Sequence, residues 1–200
     1  MSKRLKIQNK IFVGIDEVGR GPLAGPVAVG AFVWFGKRFP KELEGIKDSK
    51  KLSEKKREEW FAKIIQFKKE DKCNFKVEFK SAKYIDKYGI SKAIRECLKS
   101  AISSFELDPK KVYVLLDGGL RAPEEFTQQE TIIKGDTKES LISAAAIMAK
   151  VTRDRQMVKL SNKYPNYGFD IHKGYGTLFH RTSILKNGIS KEHRRTFIKI

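Results

Sequence analysis

Cysteine is nearly absent, with only Cys73 and Cys97 in 200 residues. A pair so far apart and so unaccompanied does not make a zinc cluster, and a lone pair in a chain of this size is read as reduced and structural. Histidine is equally sparse. His172, His180 and His193 lack the spacing of a zinc hydrolase, so each is expected at the surface or in a local hydrogen bond. No apolar run reaches the roughly eighteen residues a membrane-spanning helix needs, and the opening MSKRLKIQNK is too polar for a signal peptide. The expectation is a cytoplasmic protein without membrane association. No internal repeat, low-complexity tract or Gly/Ser linker marks an independent second domain, and the length suits one domain, with at most an appendage. Acidic residues are the other shortage, at 24 against 42 Lys and Arg, a formal charge of +18. A surplus of that size concerns partners rather than fold, and points to nucleic acid or an anionic surface.

Against that scarcity, the placement of the acids carries information. From Ile11 to Phe35 the chain reads as an apolar run, IFVGI, then Asp16 and Glu17, a turn of Gly19, Arg20 and Gly21, and a second apolar run from Pro26. Both runs are short, rich in β-branched and aromatic residues, and punctuated by glycine and proline. That pattern predicts a strand-turn-strand hairpin with the acids where it opens. Charge at the tip of an apolar strand is costly unless paired or bound to metal, so the pair suggests a cation site; an ordinary hairpin with solvated acids is the plain alternative. Gly19 to Ala24 also fits the loose dinucleotide pattern G-x-G-x-x-A. That fingerprint needs a following helix to receive the pyrophosphate, whereas Pro22, Gly25 and Pro26 lead into another strand. Successive strand side chains face opposite ways, so Asp16 and Glu17 can serve one site only if the chain leaves the extended conformation near Glu17.

Further along, Ser53 reads as the N-cap of a helix whose apolar face is Trp60, Phe61, Ile64, Ile65 and Phe67. Asn74 to Phe79 alternates as a half-exposed strand, and Ile90 to Phe105 has helical spacing. Val112 to Leu116 is an uninterrupted apolar run, as expected of a strand buried on both faces. It ends in Asp117 and two glycines, where open α/β sheets place ligands, although Asp-Gly is also a common turn. A third acid, Asp136, follows a short strand expected at Thr131 to Lys134. It precedes one long helix from Lys138 to about Lys163, striped by Leu141, Ala145, Met148, Val151, Arg155 and Val158. Asp136 also suits the N-cap of that helix, and Asp154 suits either an ion pair or a peripheral metal contact. From Lys159 onward, 9 basic and 2 acidic residues are interleaved with Tyr164, Tyr167, Tyr175 and Phe179, the composition of a nucleic-acid surface.

The segments IDEVGRGPLAGPV, DSKKLS, LLDG, KGD, SAAAIMAKVTRD, HKGYGT and HRRTF occur in that order. On this ordered set the chain resembles the ribonuclease HII family over nearly its whole length. Ala146 stands where the family more often has Ser, and Gly119 to Phe126 matches nothing. The Gly-Arg-Gly turn separates the chain from the related ribonuclease HIII family. The resemblance implies an α/β fold, a ribonuclease H-like mixed β-sheet flanked by helices with a helical C-terminal appendage. Residues 1–163 would form the catalytic domain, and 164–200 a basic segment packed on it that contributes to substrate binding. It implies that Asp16, Glu17, Asp117 and Asp136 are the metal-binding catalytic carboxylates. Oxygen-only ligands suit Mg2+ or Mn2+, and two such ions about 3.5–4 Å apart can activate a water and stabilise a departing oxygen.

The same resemblance implies that Gly19, Arg20 and Gly21, with Tyr175, recognise a ribonucleotide at an RNA–DNA junction, and that Lys50 meets the phosphodiester backbone. A glycine-lined backbone can approach a ribose closely, and the 2′-hydroxyl tells RNA from DNA. Lys173 belongs to the basic C-terminal surface expected to neutralise phosphates. The implied activity is incision of RNA–DNA hybrids, and of DNA duplexes at embedded ribonucleotides, leaving 3′-hydroxyl and 5′-phosphate ends; a monomer is expected. A non-enzymatic basic RNA-binding module would share the charge and the aromatics. It has no use for acids at three strand ends, which repel phosphate unless neutralised.

Overall fold

The computed structural model describes residues 10–35, 41–46 and 52–199. Ile11–Val18 (β1) and Val27–Trp34 (β2) pair antiparallel, Phe12 opposite Trp34 and Val18 opposite Ala28. Cys73–Lys80 (β3) continues antiparallel on the far side of β2. Val112–Asp117 (β4) lies parallel to β1, and Gln129–Ile132 (β5) parallel to β4, giving the order β3-β2-β1-β4-β5. The central strand is thus the one that carries Asp16 and Glu17. Parallel neighbours need a crossover, and helices supply it between β3 and β4: Ala82–Tyr88 (α2) and Ile90–Ser103 (α3).

Strand alternation sorts the core into two layers. Val13, Ile15, Val114 and Leu116 pack against Ile94, Leu98 and Ile102 of α3. On the opposite face Phe32 and Leu115 meet Ile64 and Phe67 of Glu54–Lys69 (α1), and Leu141, Ile142 and Met148 of Ser140–Lys163 (α5). Ser53 caps α1 as its sequence predicts, accepting from Lys56 N at 3.3 Å. Helix α5 lies unusually close to the sheet. A Cβ on Gly14 would sit 2.3 Å from the Leu141 carbonyl, and one on Gly30 2.4 Å from the Ala145 carbonyl. Strand glycines facing helix alanines therefore bring backbone onto backbone, as the run Ala144 to Ala146 allows.

Several expectations are corrected. The acids do not sit where the hairpin opens: β1 stays in register through Val18, with Asp16 opposite Gly30 and Glu17 opposite Val29. β5 ends at Ile132, because Lys134 turns into the left-handed region at φ 55°. The expected long helix is α5, beginning at Ser140 and ending at Lys163; what was not expected is a short helix before it, Gly135–Lys138 (α4), set off by Glu139, which is extended. Asp136 is consequently inside α4 and not an N-cap. Leu141, Ala145, Met148 and Val151 are buried as the stripe predicts, while Arg155 and Val158 are exposed. Helix α2 was not anticipated at all.

The C-terminal segment folds back over the β1–β2 loop. Phe169–His172 (α6) and Leu178–Asn187 (α7) enclose a third cluster in which Tyr167, Phe169 and Ile184 pack on Leu23, Ala24 and Met157. Asp86 of α2 fastens the end of this segment, accepting from the backbone N–H of Arg195 and of Thr196, each at 3.0 Å. Tyr167 is thus a core residue, whereas Tyr175 and Phe179 remain exposed.

The three histidines are hydrogen-bonded as expected, but they are buried rather than on the surface. Their partners assign the protons. His172 Nδ1 accepts from Gly174 N, so its Nε2–H donates to the Tyr167 carbonyl at 2.6 Å. His180 donates from Nδ1 to the Tyr175 carbonyl at 2.9 Å. Its Nε2 is left to accept from His193 Nε2–H at 3.1 Å, and His193 Nδ1 accepts from Ser190 N. Every ring nitrogen is used, and all three rings are neutral. Burial pushes His180 and His193 down to about 4. Between that value and the ordinary 6.5 the unfolded chain binds more protons than the folded one, so stability falls as pH drops through this window. Roughly 3 kcal/mol per ring is at stake. We expect urea midpoints to decline steadily from pH 6.5 to 4, with the His180 and His193 ring resonances of the folded chain unmoved at pH 5.5. Titration of either ring near 6.5 would contradict the assigned network.

Candidate active site

Because β1 and β4 are adjacent and parallel, with Ile15 beside Leu116, Asp16 and Asp117 follow as neighbours at the same end of the sheet. Alternation puts both on the α5 face, with Phe12 and Leu115. Asp16 is buried, and its Oδ1 accepts from the Glu17 N–H at 2.7 Å. Asp117 is half-buried; its Oδ1 accepts from Gly135 N at 2.6 Å, across the turn that Lys134 makes. That bond ties Gly135, the residue before Asp136, to Asp117. Asp136 is buried, and its carbonyl accepts from Ser143 Oγ, which joins α4 to the first turn of α5.

Backbone alternation alone turns Glu17 toward the α3 face, since β1 stays extended and in register through Val18. It is nonetheless drawn into the group electrostatically. Burial pushes its carboxyl above the ordinary carboxylate range; the Arg20 guanidinium, 3.5 Å away, pulls it back, and the charge of Asp117 adds to the rise. Among the described residues no three His, Cys, Asp or Glu side chains close into a metal cage. A small hard cation such as magnesium needs none, since it takes one or two carboxylates and completes its shell with water and substrate phosphate. The donors fit such an ion: all are carboxylate oxygens, and no buried histidine has a free ring nitrogen to compete.

Beside the carboxylates runs the loop from Gly19 to Pro26. Gly19 is left-handed at φ 81°, and a Cβ on it would fall 2.2 Å from Arg153 Nε. Gly21 is different: it is exposed, and a Cβ there would meet nothing within 4 Å. The loop is bound to the HKGYGT segment, where the Gly174 carbonyl accepts from Leu23 N at 2.8 Å and Ala24 N at 3.3 Å. Tyr175 is 43% exposed at this junction. The Lys173 ammonium is engaged locally, donating to the Asp170 carbonyl. Lys50 lies outside the described residues. Asp154 is an ion-pair partner, 2.9 Å from Lys150. An open hollow lined by Gly119, Arg121, Glu124 and Thr131 lies beyond Asp117 and holds none of the four carboxylates.

The sequence reading missed Arg153 and Arg194, both fully buried against this loop. Arg153 carried a signal, since it occupies the helical register of Ala149 and Met157, both buried. Arg194 sits in a stretch without periodicity and carried none beyond the HRRTF segment.

The profile of ribonuclease HII matches residues 13–200. The chain belongs to the ribonuclease HII family. It is 42% identical over 190 residues to ribonuclease HII of Caldicellulosiruptor bescii, covering 95% of this chain and 87% of that one. Among solved structures it is similar to ribonuclease H2 of Pyrococcus horikoshii, with TM-score 0.73, 29% identity and 93% of each chain covered. It is also similar to the ribonuclease HII of a PCNA complex from Archaeoglobus fulgidus, with TM-score 0.72, 28% identity, and 95% and 96% covered. The protein is therefore an endoribonuclease acting on RNA–DNA hybrids, and the alternative of a non-enzymatic RNA-binding module falls away. Among the described residues no helix is long and apolar enough to cross a membrane.

The two turn glycines are expected to separate in their stability effects. Gly19→Ala meets both a left-handed backbone and Arg153, and should destabilise by about 1–3 kcal/mol. Gly21→Ala should stay within about 0.5 kcal/mol of wild type in urea unfolding. Equal effects would mean that packing explains both glycines.

Proposed function

We propose that this ribonuclease HII acts as a monomer, cutting at ribonucleotides both in RNA–DNA hybrids and singly embedded in duplex DNA, and leaving 3′-hydroxyl and 5′-phosphate ends. The observation that supports the reading is that Asp16 and Asp117 lie at the same end of adjacent parallel strands, that Asp117 binds Gly135 next to Asp136, and that Glu17 feels the charge of Asp117, all in a chain of charge +18. Acids so placed hinder a phosphate unless a cation offsets them. Asp16, Glu17, Asp117 and Asp136 would hold Mg2+ or Mn2+. Bound there, the metal would supply an activated water and charge stabilisation for the departing 3′-oxygen.

The remaining roles belong to the chain itself. Gly21 offers backbone without a side chain in the way, so a ribose can come within hydrogen-bonding distance of the turn. Arg20, exposed beside Glu17, is available to a phosphate. The exposed Tyr175 ring offers a face on which the sugar or base next to the cut can stack. Lys50 and Lys173 are read as backbone contacts. Residues 164–200 are read as a flank of the catalytic domain formed by 1–163, because Leu23 and Ala24 share a core with Tyr167, Phe169 and Ile184.

The test is cleavage of a labelled DNA duplex with one ribonucleotide, with and without magnesium or manganese. Asn at position 117 keeps an oxygen for the Gly135 N–H but loses the charge, so Asp117→Asn should fold and bind normally while its barrier rises by on the order of 3 kcal/mol or more. Near-normal turnover by this variant would remove Asp117 from the metal site. Tyr175→Ala should lose about 1–3 kcal/mol in kcat/KM, mainly on the single-ribonucleotide duplex. An equal loss on a long hybrid would reduce Tyr175 to general binding.

A further inference from the structure

Arg153 and Arg194 are fully buried and, among the described residues, neither takes part in an ion pair. Both guanidinium groups are spent on backbone carbonyls. Arg194 donates to Gly19 at 2.6 Å, Arg20 at 2.9 Å and Gly25 at 3.0 Å. Arg153 donates to Pro26 at 2.9 Å, Lys173 at 3.1 Å and Ala24 at 3.5 Å. Burying two cations side by side is expensive, and stability alone is served as well by apolar residues of similar volume. Desolvation, with Arg153 close by, pushes Arg194 down to about 9.

What the pair accomplishes is orientation. In a trans peptide the C=O and the following N–H point in opposite directions. With the Gly19 and Arg20 carbonyls turned inward onto Arg194, the N–H groups of Arg20 and Gly21 are turned outward. Pro22 has no N–H and ends the series. Two consecutive outward amides, beside a glycine with open space around it and above two buried positive charges, make a concavity suited to an oxygen ligand. Arg153 adds the second constraint. By holding Ala24 and Pro26 on one side and Lys173 on the other, it fixes the distance from the turn to the segment that presents Tyr175.

We propose that Arg153 and Arg194 are positioning residues for ribose selection: Arg194 sets which way the Gly19–Gly21 amides face, and Arg153 sets their spacing from Tyr175. This rests on the reading of that turn as the ribose-contacting element. Neither residue touches nucleic acid, so their removal acts on discrimination between sugars rather than on phosphate attraction.

The experiment is equilibrium binding without divalent metal, using one duplex in two forms, with a single ribonucleotide or wholly deoxy. A phosphate contact contributes alike to both forms, whereas a ribose contact separates them. The wild-type chain is expected to prefer the ribonucleotide form. Arg194→Lys and Arg153→Lys keep the charge but lose the three-donor fork, and should shrink the preference about tenfold. Equal binding of the two forms by wild type overturns the ribose reading and this inference together. Wild-type preference that persists undiminished in both folded variants overturns the inference alone, as does a loss of affinity that leaves the ratio unchanged. Hydrogen exchange on the wild-type chain gives a check independent of variant folding. The Arg20 and Gly21 amides should exchange fast in the free protein and be protected by the ribonucleotide duplex alone; slow exchange in the free protein overturns the assigned orientation.

Discussion

The structure depends on how closely α5 lies on the sheet. At Gly14 and Gly30 no side chain separates helix from strand, and the carbonyls of Leu141 and Ala145 occupy the space where a Cβ would be. Interiors packed at this density do not absorb an added methyl by small adjustments; either the helix moves or the strand does. The first turn of α5 is joined to α4 through Ser143 and Asp136, and α4 to β4 through Gly135 and Asp117. The position of the helix is therefore also the position of the third carboxylate relative to the other two. A contact between strand glycines and helix backbone, with no functional group in it, thus bears on where the acids sit.

The electrostatic arrangement follows from that placement. The chain as a whole repels cations and attracts phosphate, while its centre does the opposite. Carboxylates brought together in a half-buried site destabilise one another, as the upward push of Asp117 on the Glu17 carboxyl shows. On the reading proposed above, a metal held there would draw part of its binding energy from relieving this repulsion. On the other side of the turn the sign reverses, with two buried guanidinium groups beneath Gly19 to Pro26. The loop thus lies between a negative and a positive pole, both fixed by the fold.

Much of this was legible in the sequence, because local signals and tertiary demands agreed. β1, β2, β4, α1 and α3 are strongly patterned, and each falls within a few residues of its predicted bounds. Failures occurred where periodicity was silent about a break. Helix α4 holds no apolar residue and the stripe begins only at Leu141, so no periodicity announces α4 or marks Glu139 as extended. Helix α2 is too short for a pattern, and its best sign was Ser81, which caps it. The histidines are hydrogen-bonded as expected, but their burial had no sign in the sequence. Solvent exposure is the ordinary fate of a polar side chain in an aperiodic segment, yet here backbone groups and a second histidine meet every ring nitrogen, which makes burial affordable. Such satisfaction is a property of the folded chain and leaves no local trace.

The straightness of β1 changes how the site must work. A bend at Glu17 would have placed both acids of the pair on one face; instead Asp16 joins Asp117 and Asp136 on the α5 side, and Glu17 approaches from the other. Glu17 feels the charge of Asp117 on one side and pairs with Arg20 of the turn on the other, at 3.5 Å with 59% of the arginine side chain exposed. An ion pair that open contributes little and breaks at little cost. On the reading proposed above, a phosphate drawn to Arg20 would compete with Glu17 for the guanidinium and would leave the carboxylate to a cation.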